Sequence, residues 1–127
     1  HLYGVRPTCT LLAVRRGLAL ELCAVAGMLH DIATYETGDP GDHGRRGAVR
    51  ARELLGELGG FPVEEVAAIS DAIAVHSDKA LVHGSMEELL KDADVLQHFL
   101  YNPVTGPWEA NLPRLRAVLE EMGIERP

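Results

Sequence analysis

Apolar residues recur along this chain at spacings of three and four, the period of an α-helix. No alternating apolar and polar stretch of useful length marks a β-strand. Leu11 to Arg16 is the first helical segment, and Gly17 suits its stop. Pro7 lies just ahead, so this helix either begins near Pro7 or kinks there, because a proline inside a helix removes a backbone hydrogen bond. Leu18 to Ala33 reads as a second, strongly apolar helix. Thr34 to Asp42 is dense in turn residues and reads as a loop. His43 to Leu58 follows, with Ala48, Ala51, Leu54, Leu55 and Leu58 at helical spacing, and Gly59-Gly60 stops it. Pro62 is placed for the first turn of a further helix, whose stripe is Val66, Ile69 and Ile73. Ser85 and Glu88 have the spacing of a capping box and open the helix that carries Asp94. Asn111 and Pro113 open a last helix that ends near Gly123. The pattern predicts an all-α single domain of about six helices, spanning residues 1–127.

Composition adds constraints. The 127 residues suffice for one core without covalent staples. The net charge of −7 repels a nucleic-acid backbone, and no basic stripe offsets it, so a nucleic-acid polymer is not an expected partner. Small anions remain open as substrates if a metal supplies local positive charge. Every apolar run is too short to span a bilayer, and no basic segment followed by a small-residue cleavage site is visible, so no membrane partner and a cytoplasmic setting are expected. Cys9 and Cys23 lie in apolar segments and read as buried free thiols. A homo-oligomer is compatible with this composition.

The informative residues are polar groups where the helical pattern calls for apolar ones. His30-Asp31 ends a hydrophobic helix. Neighbouring helix residues point about 100° apart, so the pair can serve one metal only where a helix end faces a shared cavity. His43 falls on the stripe His43, Gly47, Ala51, Leu54, Leu58. His76 continues the stripe Val66, Ile69, Ile73. Asp94 faces inward in the run Lys91 to Leu96, where an unpaired carboxylate is costly. Four helices thus each bring a ligand-type side chain inward. Imidazole with carboxylate and no thiolate suits one or two divalent ions of iron, manganese, nickel, cobalt, zinc or magnesium. Plainer readings stand beside this one: His43 as a solvated residue, His76 as a hydrogen-bonded core histidine, Asp94 as an ordinary buried aspartate.

The ordered set His…His-Asp…Asp, with "AGMLHDI" around His30-Asp31 and "LLKDADVL" around Asp94, resembles the HD-domain superfamily of metal-dependent phosphohydrolases. His43 and His76, the latter in "AIAVHSDK", match the variant with extra histidines. That resemblance implies a helical fold and a metal site of His1, His30, Asp31, His43, His76 and Asp94, with His30 and Asp31 at the catalytic centre. In the two-metal variant Asp31 would bridge. It also implies a metal-activated water as nucleophile and a small phosphate ester or nucleotide as substrate. His1 has a competing reading as a frayed end or cloning remnant. Arg45, Arg46 and Lys79 are candidates to hold the phosphate, Arg45 and Arg46 slightly ahead because arginine grips phosphate bidentately; Lys91 is a further candidate. Two other functions fit the same ligands: a di-iron oxygenase on this fold, and a metal-binding or regulatory module without catalysis.

Overall fold

The computed structural model describes residues 2–101 and 109–124, with side chains from residue 4 onward. Among these residues there are seven α-helices, one short 3-10 turn and no strand. Helix α1 (Leu2–Arg16) contains Pro7 within it. Pro7 is exposed, while Val5, Thr8, Cys9, Leu12 and Ala13 are buried on the opposite face. The apolar face therefore holds the turn that the proline weakens, and the helix begins well before the segment from Leu11 that periodicity marks.

The expected helix from Leu18 to Ala33 is two helices, α2 (Leu20–Leu29) and α3 (Ile32–Thr37). Asp31, at φ −108° and ψ 17°, leaves the α region between them. Much of the expected loop from Thr34 is consequently helical. Ala33 anchors α3 in the core, Thr37 Oγ1 donates to the Ala33 carbonyl at 2.7 Å, and Gly38 closes the helix at φ 73°. Only a left-handed residue can close a helix this way, which is why the stop falls at a glycine.

Helix α4 (His43–Leu58) lies along α5 (Val63–Val75) through a stripe of small residues: Gly44, Gly47, Ala48 and Ala51. A methyl group on Gly44 would stand 2.8 Å from the Ala74 carbonyl oxygen, so this position admits no side chain without parting the helices. Leu58, expected on the inward stripe, is 76% exposed, and Leu55 fills the core instead. A straight helix drifts off a fixed stripe over several turns.

Helix α6 (Ser85–Tyr101) does not begin with a reciprocal Ser85–Glu88 box. Glu88 Oε2 instead accepts the His83 N–H at 3.1 Å. After a 3-10 turn at Glu109–Asn111, α7 (Leu112–Glu121) buries Leu115, Val118 and Leu119. Helix α2 lies against α1, α5 and α6, while α6 touches α1, α2, α5 and α7 and is the most buried helix of the bundle. Cys9 and Cys23 are buried, free thiols. No helix among the described residues is long and apolar enough to cross a membrane.

Ion pairs tie the ends of the chain together. Arg16 Nη2 donates to Asp92 at 2.6 Å and to Glu121 at 2.7 Å, and its Nε donates to the other Glu121 oxygen at 3.0 Å. The guanidinium holds the Glu121 carboxyl below its ordinary value of 4.5. A group depressed in the fold contributes stability that is present above its unfolded pKa and is lost as pH falls through the folded one. Arg16→Met should therefore cost about 1.5–3 kcal/mol at neutral pH, the range for hydrogen bonds to charged groups. The variant should also lose less stability than the parent on acidification below about pH 4.5. Urea melts at neutral and acid pH measure both; an acid slope unchanged by the substitution would remove Arg16 as its source.

Candidate metal centre

The ends of α2, α4 and α5 meet the middle of α6. His30 is the residue after α2, His43 opens α4, His76 follows α5, and Asp94 lies within α6. The break at Asp31 aims two consecutive side chains into one space, as an unbroken helix could not.

Each of the three imidazoles is fixed in the same manner. Its Nδ1 donates to the carbonyl three residues earlier: His30 to Gly27 at 2.7 Å, His43 to Pro40 at 2.9 Å, and His76 to Ile73 at 2.7 Å. A proton on Nδ1 leaves the lone pair on Nε2, the tautomer that binds metal. All three Nε2 atoms point at the two carboxylates. His30 Nε2 lies 3.2 Å from Asp31 Oδ2 and 3.5 Å from Asp94 Oδ1. His76 and His43 Nε2 lie 3.4 and 3.6 Å from Asp31 Oδ1. The two carboxylate oxygens of Asp31 thus face different histidines.

These separations fit a metal. Donors about 2.1 Å from one ion stand roughly 3.0–3.4 Å apart in octahedral or tetrahedral geometry. His30, His76 and Asp94 form one candidate group and Asp31, His43 and His76 a second, with donor atoms within 4.8 Å in each. The Nε2 atoms of His43 and His76 are only 3.1 Å apart. Two lone pairs at that distance need a cation or a proton between them.

Electrostatics agree. Burial opposes charge on His30, but Asp31 and Asp94 outweigh it and raise its pKa to about 9. Burial would raise both carboxyls, yet His30, with His76 for Asp31 and Lys79 for Asp94, holds each well below the usual carboxylate range. The two carboxylates therefore favour positive charge between them, and a divalent ion bound there would compete with a proton for His30 Nε2.

The other expected residues divide. Arg45 lines a cavity of about 340 Å³ with Asp42, His43, Gly44, Ala74, Ser77 and Asp78, directly beside the cluster. Arg46 turns away and donates to Thr37 Oγ1 and to the Asp39 and Gly41 carbonyls, fastening the segment before α4. Lys79 Nζ donates to Asp94 Oδ2 at 2.8 Å and to the His76 carbonyl at 3.0 Å. Lys91 is fully buried and bonds the Leu81 carbonyl, His83 Nδ1 and Glu88. His98, more than half exposed, approaches Asp94 Oδ1 at 3.5 Å. His1 lies outside the described residues. Periodicity gave no sign of Ser77, whose Oγ stands 3.0 Å from His43 Nε2; its place immediately after His76 was the one available signal.

Comparison with family models matches residues 1–98 to the HD domain. Among solved structures, the chain is similar to a protein from an uncultured Thermotogales bacterium described as a predicted HD superfamily hydrolase. The two are 27% identical and superpose with a TM-score of 0.63, over 97% of this chain and 76% of that one. No curated protein matches.

Proposed function

The chain belongs to the HD domain family, whose members are generally metal-dependent hydrolases, and from that premise we propose that it is a metal-dependent phosphohydrolase acting on a small phosphate ester or nucleotide. One observation carries the reading: three imidazoles, each with Nδ1 spent on a backbone carbonyl, turn Nε2 toward the carboxylates of Asp31 and Asp94 across a shared space.

His30, Asp94 and Asp31 Oδ2 would hold one divalent ion, and His43, His76 and Asp31 Oδ1 a second. A bound divalent ion supplies a Lewis acid for the phosphoryl oxygens and lowers the pKa of water toward neutrality. The protein's part is orientation. The backbone carbonyls of Gly27, Pro40 and Ile73 set the three rings. Asp31, half-buried with one oxygen toward each group, is placed to align a water as well as to ligate. Arg45, at the cavity rim, is placed to grip a phosphate through two parallel N–H bonds. At about 340 Å³ the cavity has the size of a small-molecule site and would not admit a folded polymer.

Elemental analysis of the purified protein, followed by a panel of phosphate monoesters, diesters and nucleotides with manganese, iron, nickel, cobalt and magnesium, tests the proposal. Release of phosphate or nucleotide product that needs one of these metals is the expected result. Stoichiometric metal with no turnover on any phosphate ester would overturn it in favour of a binding module.

A further inference from the structure

Helix α7 lies beyond the segment matched by the HD domain, residues 1–98, yet one of its side chains reaches the loop beside the metal centre. Arg114 Nη2 donates to the backbone carbonyl of Lys79 at 2.9 Å. The same guanidinium is gripped by Asp92 at 2.8 Å and Glu88 at 3.1 Å, both on α6. Lys79 in turn places its Nζ 2.8 Å from Asp94 Oδ2, with the second hydrogen bond to the His76 carbonyl. A continuous chain of contacts therefore runs from α7 through one loop residue to a ligand-type carboxylate in α6.

The loop from Ser77 to Gly84 has no regular helix to stiffen it. Two other charged groups of α6 hold its backbone. Lys91 donates to the Leu81 carbonyl at 2.8 Å, and Glu88 accepts the His83 N–H at 3.1 Å. Neither reaches Lys79. Among the described contacts, the Lys79 main chain is fastened to the rest of the bundle through Arg114. The Asp94 carboxylate is linked to that fastening, because Lys79 engages Oδ2 while Oδ1 faces His30 Nε2 and His98 Nε2, each at 3.5 Å. A carboxylate with one oxygen engaged by an ammonium presents the other to a metal, and its rotamer is fixed before the metal arrives.

We propose that Arg114 is a positioning residue of the metal centre, acting through Lys79 to hold Asp94 with Oδ1 toward the metal. The inference rests on the metal-site reading above but not on the identity of the substrate. Arg114 has no described contact with the ligand-type side chains, and the route proposed for its effect is the Lys79 backbone, its bonds to Asp92 and Glu88 being kept in Arg114→Lys.

The test is a double-mutant cycle read by Mn²⁺ binding to the full chain, with turnover measured in parallel. Lys79→Met should weaken Mn²⁺ binding about tenfold, the lower end of what losing a ligand's hydrogen-bond partner costs. Arg114→Lys keeps the charge between Asp92 and Glu88 but loses the fork that also spans to Lys79, and should weaken binding by several-fold. In the Lys79→Met background, Arg114→Lys should add little, because the path it acts through is already cut. Losses that multiply would overturn the proposal, as would unchanged Mn²⁺ affinity in Arg114→Lys. Amide hydrogen exchange gives a second reading on any variant that retains its helical circular dichroism. The Lys79 and Leu81 amides, bonded to Ser77 and Asp78 carbonyls, should exchange faster in Arg114→Lys while those of α4 do not. Equal exchange in the loop would overturn the proposal. Coupled Mn²⁺ affinities without turnover of any ester would sink the phosphohydrolase reading and leave this one standing. Turnover with uncoupled affinities would do the reverse.

Discussion

Asp31→Ala is expected to abolish both metal retention and turnover while leaving the helical circular dichroism intact. Asp31 approaches each of the three imidazoles within 3.6 Å, and it serves α3 only through its backbone carbonyl, so its side chain contributes to the centre and not to the packing. Removing it leaves His30, His43 and His76 facing one another with Asp94 as the remaining carboxylate. That set has too little negative charge to hold two divalent ions. Activity should fall by roughly a thousandfold or more, because water activated by a metal and water without one differ by many pKa units. Asp31→Asn sharpens the test: it keeps the shape and one oxygen acceptor, and should still lose most of the metal. A variant that retains its metal and most of its activity would show that the centre has been misassigned.

The number of ions decides the next result. Because His76 belongs to both candidate donor groups but offers one Nε2, it can serve only one ion. Its closest ring neighbour at that atom is His43, at 3.1 Å, and on the two-ion reading this would pair the two on one ion and leave the other to His30 and Asp94. His43→Ala with His76→Ala should lower the manganese content of the saturated protein from two equivalents to one. The first site should stay filled and the bulk of activity should go, since in two-metal sites the ions act together at about 3.5–4 Å separation. A saturating stoichiometry near one in the parent, unchanged in the double variant, would rule out the second ion. His43 and His76 would then be left to contact substrate.

The helical fold was legible because amphipathic stripes report which face is buried without reference to any other part of the chain. The same logic found His30, His43, His76 and Asp94, polar groups standing where the period demanded apolar ones, and all are drawn together. Asp31 came with His30 by adjacency. The split into α2 and α3 was not legible. Its cause is one backbone conformation at Asp31 and the burial of Ala33, neither of which alters the period of apolar residues. The fate of the basic residues was equally hidden. Arg45 and Arg46 are neighbours, but the roughly 100° between successive helix positions sends one to the cavity and the other to carbonyls of its own approach segment. Arg114 lies far along the sequence from Lys79 and meets it only because α7 folds back across α6, a long-range contact with no spacing signature. His1, which the family resemblance places among the ligands, lies outside the described residues.

The abrupt change of direction between Leu29 and Ile32 also governs where this chain tolerates added length. A residue inserted within α2 would swing everything after it by about 100° and lift it about 1.5 Å, turning His30 out of reach of Asp94. An insertion between Gly38 and Asp39, where the backbone is exposed and non-helical, is absorbed ahead of Pro40, whose carbonyl holds His43. Related chains that differ in length should therefore carry the difference after Gly38 and keep constant the number of residues from Gly27 to Ile32. A library of single-residue insertions across residues 24–42, scored for retained manganese, would display that boundary as a step.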